Sequence, residues 1–179
     1  MLIGPGKHAA PGDAVDLLLD CHARIRHFLA LARRLGEARG ETPGALAEAA
    51  GQVHRYFTLA LPLHARDEEE SIAPRLKGRD AALDAELDAM TREHREHQRP
   101  LGMLVAACAE VAGDPGRLVE VAGVLLRATA ELEVHFAEHL AREEQVILPA
   151  VRRLLDVTTR EGIVSEMRGR RAGAGGVNR

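Results

Sequence analysis

Aromatic residues are scarce in this chain, and neither positive nor negative charge is in large excess. Only 2% of the 179 residues are aromatic, whereas 46% are hydrophobic, mostly Ala, Leu and Val. That mixture favours helices and argues against a β-sandwich, whose strands are rich in aromatic and β-branched side chains. The formal net charge is −3, so the basic footprint of a nucleic-acid-binding protein is missing. The length suits one domain with a sizeable core.

Cysteine is also scarce, and long apolar runs are lacking. Cys21 and Cys108 form no CxxC motif, so we expect reduced thiols and a cytoplasmic protein. Residues 1–12 lack the apolar run of a signal peptide, and no stretch is apolar enough to span a membrane. The sequence therefore predicts a helical domain with neither nucleic-acid nor membrane partners, and it gives no indication of an oligomeric state.

What the chain does contain is one short pattern written twice. Residues 64–74 read HARDEEESIAP, and residues 139–149 read HLAREEQVILP. Each copy has a His, a Glu four residues later, a second Glu beside it, and a Pro six residues after the first Glu. Positions i and i+4 of a helix face the same way, so each His and its Glu can bind the same ligand.

Apolar residues recur at three- and four-residue spacing along four segments, which predicts an all-α fold. The predicted helices run from Asp13 to about Gly36, from Thr42 to about Ser71, from Asp80 to about Ala112, and from the turn at residues 113–116 to about Leu148. Long helices with short loops predict an antiparallel up-down-up-down four-helix bundle. Residues 1–12 would be a flexible lead, residues 13–155 the bundle, and residues 156–179 a short helix with a disordered Gly/Arg-rich tail.

The two halves of the chain form a repeat. His22 precedes the first His-x-x-x-Glu and His94 the second, each by a little over forty residues. His22 and His64 stand at similar distances along the sequence from the turn between their helices, and so do His94 and His139. Because neighbouring helices are antiparallel, all four histidines are expected in one layer of the bundle.

The inner stripes would then bury four imidazoles and two carboxylates, which is costly without a partner. Divalent cations remove that cost, because they keep carboxylates ionised and bind neutral imidazole. The predicted metal ligands are His22, His64, Glu68, His94, His139 and Glu143. Imidazole and carboxylate suit iron, manganese or zinc. Two carboxylates for four imidazoles suit a pair of metals bridged by the carboxylates, with two His for each metal.

These residues, with the Glu-Glu pairs and trailing prolines, resemble the hemerythrin-like (HHE cation-binding) domains over roughly residues 13–155. The resemblance implies a non-haem di-iron centre with an oxo or hydroxo bridge, and binding or sensing of O2, nitric oxide or peroxide. The third helix offers His94, His97 and Gln98 rather than the His-x-x-x-His of invertebrate oxygen carriers. The spacing is closer to the two-repeat bacterial branch of the family.

Two further histidines lie one turn from predicted ligands, His135 before His139 and His97 after His94. They would orient ligands, relay protons or supply an extra ligand, or else form ordinary buried hydrogen bonds. Glu69 and Glu144 point about 100° away from the ligand carboxylates on an ideal helix. They are expected in solvent or against arginine.

Three classes of function fit the predicted site. The first is a protein that binds or senses a small oxidant and communicates with a redox partner protein. The second is an oxidoreductase, or an iron-donating repair protein, acting on peroxide or nitric oxide damage. The third is a structural module loaded with zinc or manganese. The metal content and turnover of the purified protein would separate the three.

Overall fold

The computed structural model describes residues 12–175. Most of the predicted flexible lead, and residues 176–179 of the predicted tail, lie outside the described residues. Five helical rods follow one another, some built from several segments. They are α1 (Ala14–Glu37), α2 (Pro43–Arg55, Tyr56–Ala60, Leu61–Arg66, Asp67–Ile72 and Ala73–Leu76), α3 (Ala81–Glu96 and Gln98–Gly113), α4 (Leu118–Arg142, Glu143–Ile147 and Leu148–Leu154) and α5 (Val157–Gly175).

Helices α1 to α4 begin where the sequence predicts. Asp13 caps α1 with its side chain, Thr42 caps α2 with Pro43 in its first turn, and Asp80 caps α3. A single 3₁₀ turn, Pro115–Arg117, leads into α4. These caps hold the helix starts, and the apolar stripes determine which face turns inward.

The four rods form the predicted antiparallel bundle. Contacts between α1 and α4 run in opposite directions, from His22 against Glu144 to Arg33 against Glu133. Helix α1 also packs on α2, α2 on α3, and α3 on α4. The predicted up-down-up-down all-α architecture is therefore confirmed for the described residues.

Two predicted helix ends are wrong in an informative way. Helix α2 is predicted to end at about Ser71 and α4 at about Leu148, but α2 continues to Leu76 and α4 to Leu154. Pro74 and Pro149 lie within these extensions, and a π-helical segment ends two residues before each, Asp67–Ile72 in α2 and Glu143–Ile147 in α4. The wider π turn opens the hydrogen-bond ladder where the proline lacks its N–H, so the ring no longer breaks the helix.

The apolar core has two parts. One cluster surrounds Ile25, Leu104, Leu125 and Leu132 towards the loops at residues 38–42 and 114–117. The other cluster fills the opposite end of the bundle and includes Leu18, Ile72, Leu87, Met90, Ile147 and Val151. The layer between the two clusters is polar, and it is there that the predicted metal ligands lie.

Within the described residues, the C-terminal helix is longer than the sequence predicts. Helix α5 spans Val157–Gly175, 19 residues, where a short helix and a disordered tail were expected. Ile163 and Met167, four residues apart, are 0% and 1% exposed in the second core cluster. Arg170 and Arg171 both bind Asp67, which is fully buried. Helix α5 therefore packs against α1 and α2 beside the second core cluster.

In residues 12–175, none of the helices is apolar over a length sufficient to cross a bilayer. The longest segments carry charged residues on the face that points away from the core, for example Arg34 at the end of α1 and Glu120 at the start of α4. This is the pattern of amphipathic bundle helices, each of which buries one stripe against its neighbours.

Candidate metal centre

Six polar side chains meet in the layer between the two core clusters. They are His22 on α1, His64 and Glu68 on α2, His94 on α3, and His139 and Glu143 on α4. All except His94 are at most 2% exposed, and the side chain of His94 is 10% exposed. The structure thus brings together every residue that the sequence singles out as a metal ligand.

The two oxygens of each carboxylate face different histidines. Glu68 Oε1 lies 3.2 Å from His64 Nε2, and Glu68 Oε2 lies 3.2 Å from His94 Nε2. Glu143 repeats the arrangement in the other half of the bundle, with oxygens 3.1 and 3.2 Å from the Nε2 atoms of the remaining two histidines. Each carboxylate therefore extends from one histidine pair to the other.

The donor atoms form two groups of four that share both carboxylates. The first group is His22, His64, Glu68 and Glu143, and the second is Glu68, His94, His139 and Glu143. Within each group the donor atoms lie within 4.8 Å of one another. Atoms that bind one cation at roughly 2.0–2.2 Å stand roughly 3 Å apart, which is the spacing of the closest pairs here.

The donors have no other use in the described part of the chain. Seven of these nitrogen and oxygen atoms are buried without a hydrogen-bond partner: His22 Nε2, His64 Nε2, His94 Nε2, and both oxygens of Glu68 and of Glu143. Leaving so many polar atoms buried and unpaired is expensive, and a cation in each group would satisfy them. The residues present therefore fit a metal centre.

Comparison with known protein families agrees with this geometry. The family model described as "Hemerythrin HHE cation binding domain" matches residues 13–151, the length of the bundle. This chain belongs to the hemerythrin HHE cation-binding family. A search of curated proteins finds no match.

The site of this hemerythrin-family chain favours protons wherever cations are absent. Burial lowers the pKa of His22, but the carboxylates of Glu143 and Glu68 outweigh burial and raise it to about 10. At His94, burial also lowers the pKa, but the carboxylate of Glu68 outweighs burial and raises the pKa to about 9. At His64, burial together with the charges of His22 and His94 outweighs the two carboxylates and lowers the pKa. Because metals bind neutral imidazole, a cation must displace the protons from His22 and His94, and its binding strengthens as the pH rises.

The sequence analysis missed three carboxylates that bind the ligand imidazoles at Nδ1, the nitrogen that faces away from the donor groups. Glu144 lies 2.9 Å from Nδ1 of His22, and Glu69 lies 2.7 Å from Nδ1 of His94. Sequence reasoning placed Glu69 and Glu144 in solvent or against arginine. Glu144 does accept a hydrogen bond from Arg26, but both carboxylates also fix a ligand ring. The second Glu of each Glu-Glu pair was the signal that could have indicated this role.

The third carboxylate is Glu93, which lies 2.8 Å from Nδ1 of His139. Arg142 also bonds to Glu93 and holds it in place. A carboxylate behind a ligand imidazole fixes the tautomer and makes the other nitrogen a better donor. His64 is the exception, because no described residue bonds to its buried Nδ1 atom.

Replacing Glu69 with Ala is expected to weaken metal binding about 10- to 100-fold, because His94 loses the partner that orients its ring. Glu69 is absent from both donor groups, so metal should still bind, only less tightly. Competition with a coloured chelator measures the affinity. Glu96→Ala, an exposed carboxylate on the same helix as His94, is the control and should leave the affinity unchanged. Equal losses in both variants would contradict the orienting role.

His97 and His135 lie beside the centre but outside both donor groups. Their rings stack with centroids 5.7 Å apart, and the ring of His97 lies 5.1 Å from that of His139. Burial, followed by the charges of His139, His94 and His135, lowers the pKa of His97 to about 3. His97 therefore stands next to the ligands as a neutral ring.

Proposed function

We propose that this chain holds two iron ions bridged by Glu68 and Glu143 and uses them to bind or sense O2 or a related small oxidant, nitric oxide or peroxide. The observation that carries the proposal is that each carboxylate offers one oxygen to each histidine pair. A single cation would bind the donor atoms of only one group and would leave the two histidines of the other group without a partner. Membership of a cation-binding family supports the same interpretation.

Iron suits the donor set better than a purely structural ion does. Each group supplies two imidazole nitrogens and two carboxylate oxygens, and mixed nitrogen and oxygen donors are typical of non-haem iron. Structural zinc sites more often use Cys, and neither donor group contains one. When bound, the irons would supply electrons and open positions for a small oxidant.

The residues of the chain hold, orient and shield this centre. The carboxylates of Glu69, Glu93 and Glu144 fix three of the four ligand rings. The buried aliphatic side chains of Ile25 and Leu132 lie on one side of the layer and those of Leu18 and Met90 on the other. Exclusion of water from these two sides of the centre strengthens electrostatic interactions there and suppresses side reactions.

The cysteines support a reducing setting for this centre. Cys108 is buried and Cys21 half-buried, and both are free thiols. Paired cysteines are typical of oxidising compartments, so free thiols favour the cytoplasm, where we place the protein. A redox partner protein there would return the irons to the ferrous state.

Anaerobic reconstitution with ferrous iron, followed by exposure to O2, tests the proposal. We expect two irons per chain and a new near-ultraviolet or visible band on oxygenation. A band that reverses on deoxygenation indicates carriage or sensing, whereas irreversible loss with turnover of peroxide or nitric oxide indicates an oxidoreductase. Zinc or manganese in protein purified from its own host, with no response to any oxidant after iron loading, would overturn the proposal.

A further inference from the structure

A cavity of about 330 Å³ opens beside the metal centre, between α2 and α3. The ligand rings of His64, His94 and His139 form part of its floor. Exposed residues, Gln98 and Gly102 among them, stand at its mouth. The cavity therefore connects the protein surface with one side of the centre, and its contents would lie against the ligands of both donor groups.

The volume of the cavity is much greater than a diatomic ligand needs. One water molecule accounts for roughly 30 Å³, and O2 or nitric oxide needs a similar space. An apolar cavity of roughly 150 Å³ is already enough to bind benzene. At about 330 Å³ the cavity here reaches the lower end of the range for organic ligands, roughly 300–1,000 Å³. Its size fits an organic molecule of about ten heavy atoms.

The walls of the cavity favour an uncharged body. Phe57, Leu61, Leu101, Val105 and Phe136 supply apolar walls. None of its lining residues is Asp, Glu, Lys or Arg. A charged group placed against these walls, away from the metal centre, would lose its hydration without gaining a counter-ion, and that loss is costly. The walls therefore favour a neutral, largely apolar body.

His97, on the floor, has no hydrogen-bond partner among the described residues. His97 is 3% exposed and lines the cavity. It contacts the rings of His135, Phe136 and His139, but no described residue hydrogen-bonds its ring nitrogens. An imidazole ring offers one donor and one acceptor. A hydroxyl or hydroperoxyl group has the same two capacities and would satisfy His97.

We propose that this cavity binds a neutral organic hydroperoxide, with its apolar body between α2 and α3 and its oxygen end between His97 and the metal centre. The inference rests on the proposed function in its peroxide form, and it adds the size and polarity of the peroxide. It also explains why the apolar walls meet a polar floor only at the metal side. The alcohol with the same carbon skeleton would occupy the same space.

Binding can be tested without any reaction. The full chain loaded with zinc, which is redox-inert, is titrated with 2-phenyl-2-propanol by calorimetry or ligand-observed NMR, and the titration is repeated with isopropylbenzene. We expect saturable binding of the alcohol and at least a tenfold preference for it over the hydrocarbon. The preference should disappear in His97→Phe, whose ring keeps the shape but offers no hydrogen bond.

A matched pair of glycine variants locates the site. A Cβ atom added at Gly102, at the mouth, or at Gly162, on α5, meets nothing within 4 Å, so both positions accept a side chain. Gly102→Leu is expected to weaken binding of the alcohol at least tenfold, whereas Gly162→Leu should leave it unchanged. Far-ultraviolet circular dichroism verifies that both variants stay helical.

Each outcome separates the two proposals. No saturable binding, or equal affinity in Gly102→Leu and the parent chain, would overturn the cavity assignment even if iron-loaded protein responds to hydrogen peroxide. Saturable binding of the alcohol, with no response of iron-loaded protein to any oxidant, would support the cavity and overturn the proposed function. Equal affinity for the alcohol and the hydrocarbon would show that His97 does not bind the oxygen end, which would overturn the proposed orientation of the ligand.

Discussion

Replacing either Glu68 or Glu143 with Gln should remove both of the proposed metals from the chain rather than one. Each carboxylate contributes an oxygen to both donor groups, so a single substitution damages both. Gln has nearly the same shape but no charge, and it leaves two cations facing each other across one remaining carboxylate. We expect the affinity of both positions to fall about 100-fold or more, because even residues that only orient ligands contribute 10- to 100-fold.

Metal content after dialysis against a chelator of known affinity measures this effect. Glu138→Gln is the control, since Glu138 is exposed and adjacent to His139 in sequence, and it should keep the full metal content. His64→Ala provides a contrast, because His64 belongs to only one donor group and its loss should spare the other cation. Retention of one tightly bound metal in Glu68→Gln would show that the carboxylates serve separate ions.

Replacing Asp67 with Ala should cause the largest loss of stability in the chain outside the apolar core. Asp67 is fully buried and binds Arg170 and Arg171 at 2.7 Å each. Removing one partner of a fully buried ion pair costs about 3–5 kcal/mol. Arg170 is 12% exposed and Arg171 36% exposed, so both can regain water. We therefore expect a loss of about 2–3 kcal/mol.

A loss of this size lowers the melting temperature by about 5–10 °C in a chain of this length, which calorimetry of metal-free protein resolves. The control is Asp88→Ala, because Asp88 forms its ion pair with Lys77 and is 68% exposed. That variant should change the melting temperature by no more than about 2 °C. If Asp67→Ala melts together with the parent chain, α5 is not held to the bundle by this ion pair.

The bundle and the six ligand residues could be predicted because each depends on local spacing. Caps at Asp13, Thr42 and Asp80 and apolar residues at three- and four-residue intervals are properties of single helices. The His-x-x-x-Glu pairs depend only on the geometry of one helical turn. Antiparallel packing then aligns the two halves without any further information.

The residues that the sequence missed depend on contacts across helices. Glu93 reaches His139 from α3 to α4, and nothing near Glu93 in sequence indicates that partner. The Gly/Arg-rich composition of α5 suggests disorder, because its arginines would have no partner in an isolated segment. Their partner is Asp67, more than a hundred residues earlier in the chain. Long-range charge pairing of this kind is invisible to periodicity.

The π-helical segments were missed for another reason. Pro74 and Pro149 lie just past the predicted helix ends at about Ser71 and Leu148, and a proline inside a helix normally breaks it. A π turn before each proline allows the helix to continue, and it also widens the inward face. Asp67 and Glu68 are adjacent in sequence, yet both are buried, one facing α5 and the other the histidines. An ideal α-helix separates such neighbours by about 100°.

The repeat has diverged at two corresponding positions. Glu93 bonds to Nδ1 of His139, but the residue in the equivalent position of the first half is Cys21, and Nδ1 of His64 has no partner in the described residues. Asp67 and Arg142 likewise correspond, with opposite charge, and their partners differ accordingly. The duplication therefore preserved the donors while their supporting contacts changed.

This divergence makes the two ends of the centre electronically unequal. Both imidazoles of the second donor group are supported by a carboxylate, and only His22 is supported in the first. A supported imidazole donates more electron density, which stabilises a higher oxidation state. Two chemically identical ions placed here would thus have different reduction potentials, and a single added electron would reside preferentially on the ion held by His22 and His64.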